Sequence, residues 1–413
     1  MASSPPLDLD FVRAQFPSLA SEVAFLDNAG GSQILGRAVD RLRDYLLTSN
    51  VQHGASYAVS RLATARVAEA QARTVTLLNA ARPEEVVFGP TSTVLLQWLA
   101  RAMARQFAPG DEVIVSRADH ESNIGPWAGL AAQGVVVKTW ELRPGAFVLA
   151  LEDLEALLTP RTRLVAVTHA SNIFGAVQPV ADIARVVHAH GAKLCVDGVA
   201  FAPHRAVDVR AWDADYYVLS FYKVYGPHHA VLYGKHDLLV DLDTLYHYFI
   251  PRARVPYKLQ PGNPNYELSY ACIGIVDYLE ELGRRVGAPA DASAREAVET
   301  AWEAAAAHEA ALSTRLLDYL ATKPRVRVVG PVTADAAVRV PTVSFVAEGL
   351  ASQAIVRHTD ERSLGIRHGD FHSRRLVEWL GYGGADGVVR VSMVHYNTID
   401  EVDRLTRALD EVL

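Results

Sequence analysis

The octapeptide Ser220-Phe221-Tyr222-Lys223-Val224-Tyr225-Gly226-Pro227 follows an apolar run and ends in Gly-Pro. That order places Lys223 at the exit of a sheet strand, where open α/β sheets form ligand crevices. A lysine kept from water there has a lowered pKa and can attack an aldehyde as a neutral amine. The plainer reading is a solvated lysine after a strand. Upstream, the apolar run Lys193-Leu194-Cys195-Val196 ends in Asp197. A carboxylate beside a ring nitrogen keeps it protonated and makes the ring an electron sink, although an Asp at a strand end is also a common turn former. Phe88-Gly89-Pro90-Thr91-Ser92-Thr93 suits a phosphate on the N–H groups of a helix start, or an ordinary Ser/Thr cap. His120, within Asp119-His120-Glu121-Ser122-Asn123, offers a flat imidazole at another strand end. Asn172, after Thr168-His169-Ala170-Ser171, offers an amide to a phenolic oxygen.

Short apolar, β-branched runs carry these groups. They are Glu85 to Phe88, Glu112 to Ser116, Val135 to Thr139, Leu164 to Thr168, Lys193 to Val196, Tyr216 to Leu219 and Ala230 to Tyr233. Uniformly apolar runs separated by helices such as Leu62 to Leu78 and Val180 to His190 predict a buried, mostly parallel sheet with helices on both faces. The texture changes near Leu279. A long Ala/Glu/Leu helix from Glu296 to Leu320, strands at Val326 to Val329, Thr342 to Ala347 and Val388 to Met393, a loop at Gly365 to Phe371 and a last helix from Ile399 predict a smaller α+β unit. The expected organisation is an N-terminal segment 1–24 packed on the small domain, a large domain 25–280 and a small domain 281–413.

Half of the 413 residues are hydrophobic and 21% are charged, as in globular proteins. The net charge of −7 argues against nonspecific binding to nucleic acid or an anionic membrane. Two cysteines, Cys195 and Cys272, exclude a disulfide framework. The start lacks the basic-then-apolar order of a signal peptide and no apolar run reaches membrane-spanning length. A cytoplasmic enzyme without a membrane or nucleic-acid partner is expected.

Taken together, Leu26-Asp27-Asn28-Ala29, Phe88-Gly89, Asp119-to-Asn123, Ser171-Asn172, Val196-Asp197-Gly198, Ala202-Pro203-His204, Ser220-to-Pro227, Pro261-Gly262-Asn263-Pro264-Asn265 and Arg390-to-Asp403 resemble, in order, the class V aminotransferase family. These are fold-type I enzymes that use pyridoxal 5'-phosphate, and the resemblance is to the cysteine desulfurase-like branch. It implies an α/β large domain with a mostly parallel seven-stranded sheet and a small α+β domain. It makes Lys223 the Schiff-base lysine and Asp197 the partner of the ring nitrogen, with His120 stacked on the ring and Asn172 at its hydroxyl. Thr91, Ser92, Ser220 and Tyr222 would hold the phosphate, and Asn263 would reach the phosphate of a neighbouring subunit, implying a homodimer with shared sites. Arg390 would grip the carboxylate of a small amino-acid substrate, with Asn28, Ala29 and Tyr57 on the substrate side.

Two departures stand out. In the loop Ile366 to Ser373, His372 stands where desulfurases carry a persulfide-forming cysteine, and Ala200 replaces a frequent glutamine. Cys195 and Cys272 fall in a strand and in a helix Leu268 to Leu279, as packing residues. The resemblance therefore implies C–S cleavage or β-elimination without a persulfide relay; a class V aminotransferase or epimerase, and a non-catalytic cofactor-binding protein, are the alternatives. A metal held by His368, Asp370 and His372 is not expected.

Overall fold

The computed structural model describes residues 7–384 and 386–413. Seven strands form the central sheet: β1 (Val86–Gly89), β2 (Glu112–Ser116), β3 (Val136–Trp140), β4 (Thr162–Thr168), β5 (Lys193–Asp197), β6 (Tyr216–Ser220) and β7 (Ala230–Gly234). Their order is β1-β7-β6-β5-β4-β2-β3, and only β7 runs antiparallel to its neighbours. Helices cover both faces, so the inner strands β2, β6 and β7 are buried along their whole length, whereas the edge strand β3 is half exposed. The parallel course brings the carboxyl ends of β2, β4, β5 and β6 to one rim.

A second sheet, β8 (Val326–Val329), β9 (Thr342–Ala347), β10 (Arg367–Gly369) and β11 (Val388–Ser392), is antiparallel throughout in the order β10-β11-β9-β8. β10 lies within the stretch expected as a loop. Its three residues have no strand pattern and are held by pairing with Val388 to Arg390. The expected helix Leu268 to Leu279 is two helices, Tyr266–Ala271 and Ile273–Arg285. At the junction the Cys272 N–H is shared between the carbonyls of Leu268 and Ser269, which tightens the turn there.

The boundary expected at 280/281 falls inside the helix Ile273–Arg285, and we infer a division in the turn between it and the next helix, Ala294–Ala321. That long helix starts on a capping box, with the Ser293 hydroxyl accepting from the Glu296 N–H (3.2 Å) and the Glu296 carboxylate accepting from the Ser293 N–H (2.7 Å). Of the N-terminal segment, residues 1–6 lie outside the described residues. The remainder straddles both sheets: Phe16 meets Tyr225 and Tyr396 edge-on, Arg13 pairs with Glu401, and Ala24–Phe25 runs parallel to Leu364–Gly365.

The two long helices touch where Gly283 faces Ala297, and a Cβ at 283 would lie 1.8 Å from the Ala297 carbonyl oxygen. Gly283→Ala must therefore push backbone apart. A loss of about 1–3 kcal/mol is expected, read as a lower urea midpoint with an unchanged slope.

Candidate active site

The rim at the carboxyl ends of β2, β4, β5 and β6 borders a cavity. His120 and Ser122 enter from the loop after β2, Thr168, Ala170 and Asn172 from the end of β4 and beyond, and Asp197, Val199 and Ala200 from the end of β5. Tyr222 and Lys223 come from the single turn Phe221–Lys223 after β6. The turn is braced from the N-terminal segment, since the Ser32 N–H donates to the Tyr222 carbonyl (3.1 Å) and the Ser32 hydroxyl accepts from the Tyr225 N–H (3.0 Å). Tyr225 needs that brace because its φ of 66° is left-handed.

Burial dominates the electrostatics. It brings the Lys223 amine down to about 8, with the Arg390 guanidinium adding to the effect and the carboxylates of Asp197 and Asp27 opposing it. Burial pushes the Asp197 carboxyl up, against the Val199 N–H (2.9 Å), the Lys223 charge and the Ser122 hydroxyl (3.5 Å). His120 is pulled down to about 3, first by burial and then by Lys223, His372 and Arg390, so its ring is neutral near pH 7. Its Nδ1 accepts from the Ser122 N–H (3.0 Å), which leaves the proton on Nε2.

At the opposite end of the cavity the helix Ser92–Met103 begins. The Thr91 hydroxyl accepts from the Val94 N–H (3.1 Å) as the cap, and Thr91 is exposed, not part of the cavity wall. Ser92 and Thr93 take that wall, and the Ser220 hydroxyl donates to that of Ser92 (3.0 Å). Counting from a cap at 91 would have pointed to 92 and 93, whose N–H groups a helix leaves free. This end suits a phosphate, Asp197 suits a protonated ring nitrogen and Lys223 an aldehyde, so the residues present fit pyridoxal phosphate.

Several expected residues are otherwise engaged. The Asn172 amide donates to the Phe371 carbonyl (3.0 Å) and accepts from the Ser373 hydroxyl (2.8 Å), tying down the loop that carries His372. Asn28 is a buried strut bonded to the Phe25 and Ser392 carbonyls (both 2.9 Å), and the Ala29 N–H donates to the Ser392 hydroxyl (2.8 Å). Tyr57 is exposed and off the cavity wall. Asn263 sits in a left-handed turn (φ 70°), its buried side-chain carbonyl without a partner among the described residues.

Arg390 is buried with its plane over Phe371, 3.7 Å from the ring centroid. It donates to Asp27 (2.7 Å) and to the Asn172 carbonyl (3.1 Å), while its buried Nε has no partner among the described residues. Burial lowers its pKa and Asp27 opposes the shift. Asp27 and Asp119 were not expected as site residues. Asp119 is wholly buried, accepts from Asn123 (2.8 Å) and the Thr168 N–H (3.0 Å), and so ties the His120 loop to β4. The sequence signal for both was an acid inside an already noted motif. Asp27→Ala should cost about 2 kcal/mol in urea unfolding, less than a fully buried pair because Asp27 is partly open to water.

The aminotransferase class-V family pattern matches residues 24–405. The aminotransferase-like protein FGM3 of Gibberella zeae is 44% identical over the full length of both chains. The cysteine desulfurase-like protein ustD of Aspergillus flavus is 33% identical, covering 98% of this chain and 91% of its own. The crystal structure of the cysteine desulfurase CsdA of Escherichia coli superposes with a TM-score of 0.83 at 27% identity, covering 98% of each chain. With its sheet order, its rim of ionisable groups and these relatives in agreement, the chain belongs to the class V aminotransferase family of pyridoxal-phosphate-dependent enzymes.

Proposed function

We infer that the enzyme cleaves a β-substituent, a C–S bond in a cysteine-derived amino acid being the leading case, without passing sulfur through a persulfide. The observation that carries this reading is the placement of the thiols. Cys195 lies inside β5 and Cys272 at a helix junction, both are buried, burial pushes both thiols up, and neither lines the cavity. A thiol that is neither ionised nor accessible cannot attack a substrate sulfur.

When bound, pyridoxal phosphate supplies an electron sink for negative charge developing at Cα. Lys223 would hold it through its Nζ and is the base placed to take a proton from the substrate Cα. Asp197 would keep the ring nitrogen protonated and His120 would face the ring. Ser92, Thr93 and Ser220 would hold the phosphate, with Tyr222 beside them. Arg390 orients the substrate carboxylate, and its unpartnered Nε is the donor still free for that task. The name of the 44%-identical relative, aminotransferase-like, favours transamination as the second reading.

The reading includes a homodimer. Leu46, Leu47, Tyr57, Val59 and Leu62 are exposed on or beside two neighbouring helices, Gly36–Thr48 and Ala58–Leu78, a face suited to a second copy. Asn263 would serve the partner's phosphate from its turn.

Incubation with cysteine conjugates should release pyruvate without a keto-acid acceptor; strict dependence on an acceptor overturns the lyase in favour of transamination. Because Lys223 loses its proton near pH 8, imine formation between cofactor-free protein and pyridoxal phosphate should rise as pH climbs through about 8, not above 10. Borohydride trapping and peptide mass spectrometry read the midpoint, and Lys223→Ala should give no adduct at that peptide.

A further inference from the structure

His372 is held in place more firmly than an exposed loop residue requires. It and Phe371 are consecutive left-handed residues, with φ of 58° and 51°. Neither is a glycine, and such a pair persists only where its surroundings hold it. The His372 N–H donates to the Asp370 carboxylate (3.0 Å) and its carbonyl accepts from the Glu121 N–H (2.8 Å). On either side Asn172 grips the Phe371 carbonyl and the Ser373 hydroxyl. Arg375 then locks the clamp through a two-pronged pair with Glu121 (2.8 and 3.1 Å).

The result is a ring 5.5 Å from that of His120, on the wall of an outer chamber that shares His120, Ser122, Thr93 and Tyr222 with the inner cavity. Neither ring nitrogen of His372 has a hydrogen bond among the described residues. His120 is neutral and engaged at Nδ1, and Lys223 is deeper in the cavity. That leaves His372 as the imidazole with both ring nitrogens open on the outer chamber that adjoins the cavity.

We propose that His372 is a catalytic residue that protonates the group leaving the substrate Cβ. The proposal rests on the lyase reading. Lys223 takes the Cα proton, the Cβ–X bond breaks with its electron pair on X, and His372 gives its proton to X, which departs as HX. Addition of water to the unsaturated product yields pyruvate and ammonium, and exposed His372 regains a proton from solvent. The charged and titratable groups around the ring are His120 and Glu121 after β2, Tyr222 beside Lys223, and Asp370 and Arg375 on its own loop and the following helix.

The test compares S-methylcysteine, whose thiolate leaves poorly unprotonated, with β-chloroalanine, whose chloride needs no proton. His372→Ala holoenzyme should release pyruvate from S-methylcysteine ~10²-fold more slowly or worse, suffer far less on β-chloroalanine, and recover thiol release when imidazole is added. Its melting temperature and visible cofactor absorbance should match those of the parent. Equal losses on both substrates, or none, overturn the proton role and leave the lyase reading standing. No pyruvate from either substrate with the parent enzyme overturns both. His372→Gln, which keeps much of the ring's size and polarity but carries no transferable proton, should show the same split between the two substrates; equal losses on both overturn the proposal even if the alanine variant fails to fold.

Discussion

Ionisable groups kept from water at the ends of parallel strands set the terms for the rest of the structure. Lys223, Asp197, Asp119 and Arg390 are each at least nine-tenths buried, and burial disfavours the charged form of every one. The lysine answers by giving up its proton easily, the carboxyls by rising. The guanidinium can do neither, so it needs the Asp27 carboxylate and the face of Phe371. A cofactor with a phosphate, a protonated ring nitrogen and an aldehyde meets these unpaired tendencies together.

The sheet was legible because a strand covered on both faces reads as a near-continuous apolar run. Glu112 to Ser116 and Thr342 to Ala347 were read to the residue, and the other central strands within two residues at either end. Lys223, Asp197 and His120 were legible for a related reason, since a polar residue ending such a run stands out. Harder to read were features made by contacts distant in sequence. β10 exists through its pairing with β11, and Asn172 serves a loop some two hundred residues later. Thr91 and Thr93 look alike in sequence and differ only by their place in one helical turn.

The site has a fixed part and a replaceable part. Strand ends of a close-packed sheet hold the groups that serve the cofactor, where small displacements are resisted from both faces. The side chain proposed to act on the distal part of a substrate, His372, comes instead from the stretch between β10 and the helix Arg374–Trp379, tied on by Asn172 and Glu121. A side chain on such a loop can be exchanged with little disturbance to the sheet, which is how one fold hosts several chemistries.

The strut formed by Asp27 and Asn28 has a consequence for biosynthesis. Their partners, Arg390, Ser392 and Asn397, are translated 363 to 369 residues later. As the polypeptide leaves the ribosome, the central sheet and its lysine emerge well before the arginine does, and Asp27 waits for its counterpart until that stretch is made. A chain interrupted before Arg390 would thus hold every residue of the central sheet and none of the strut's three counterparts.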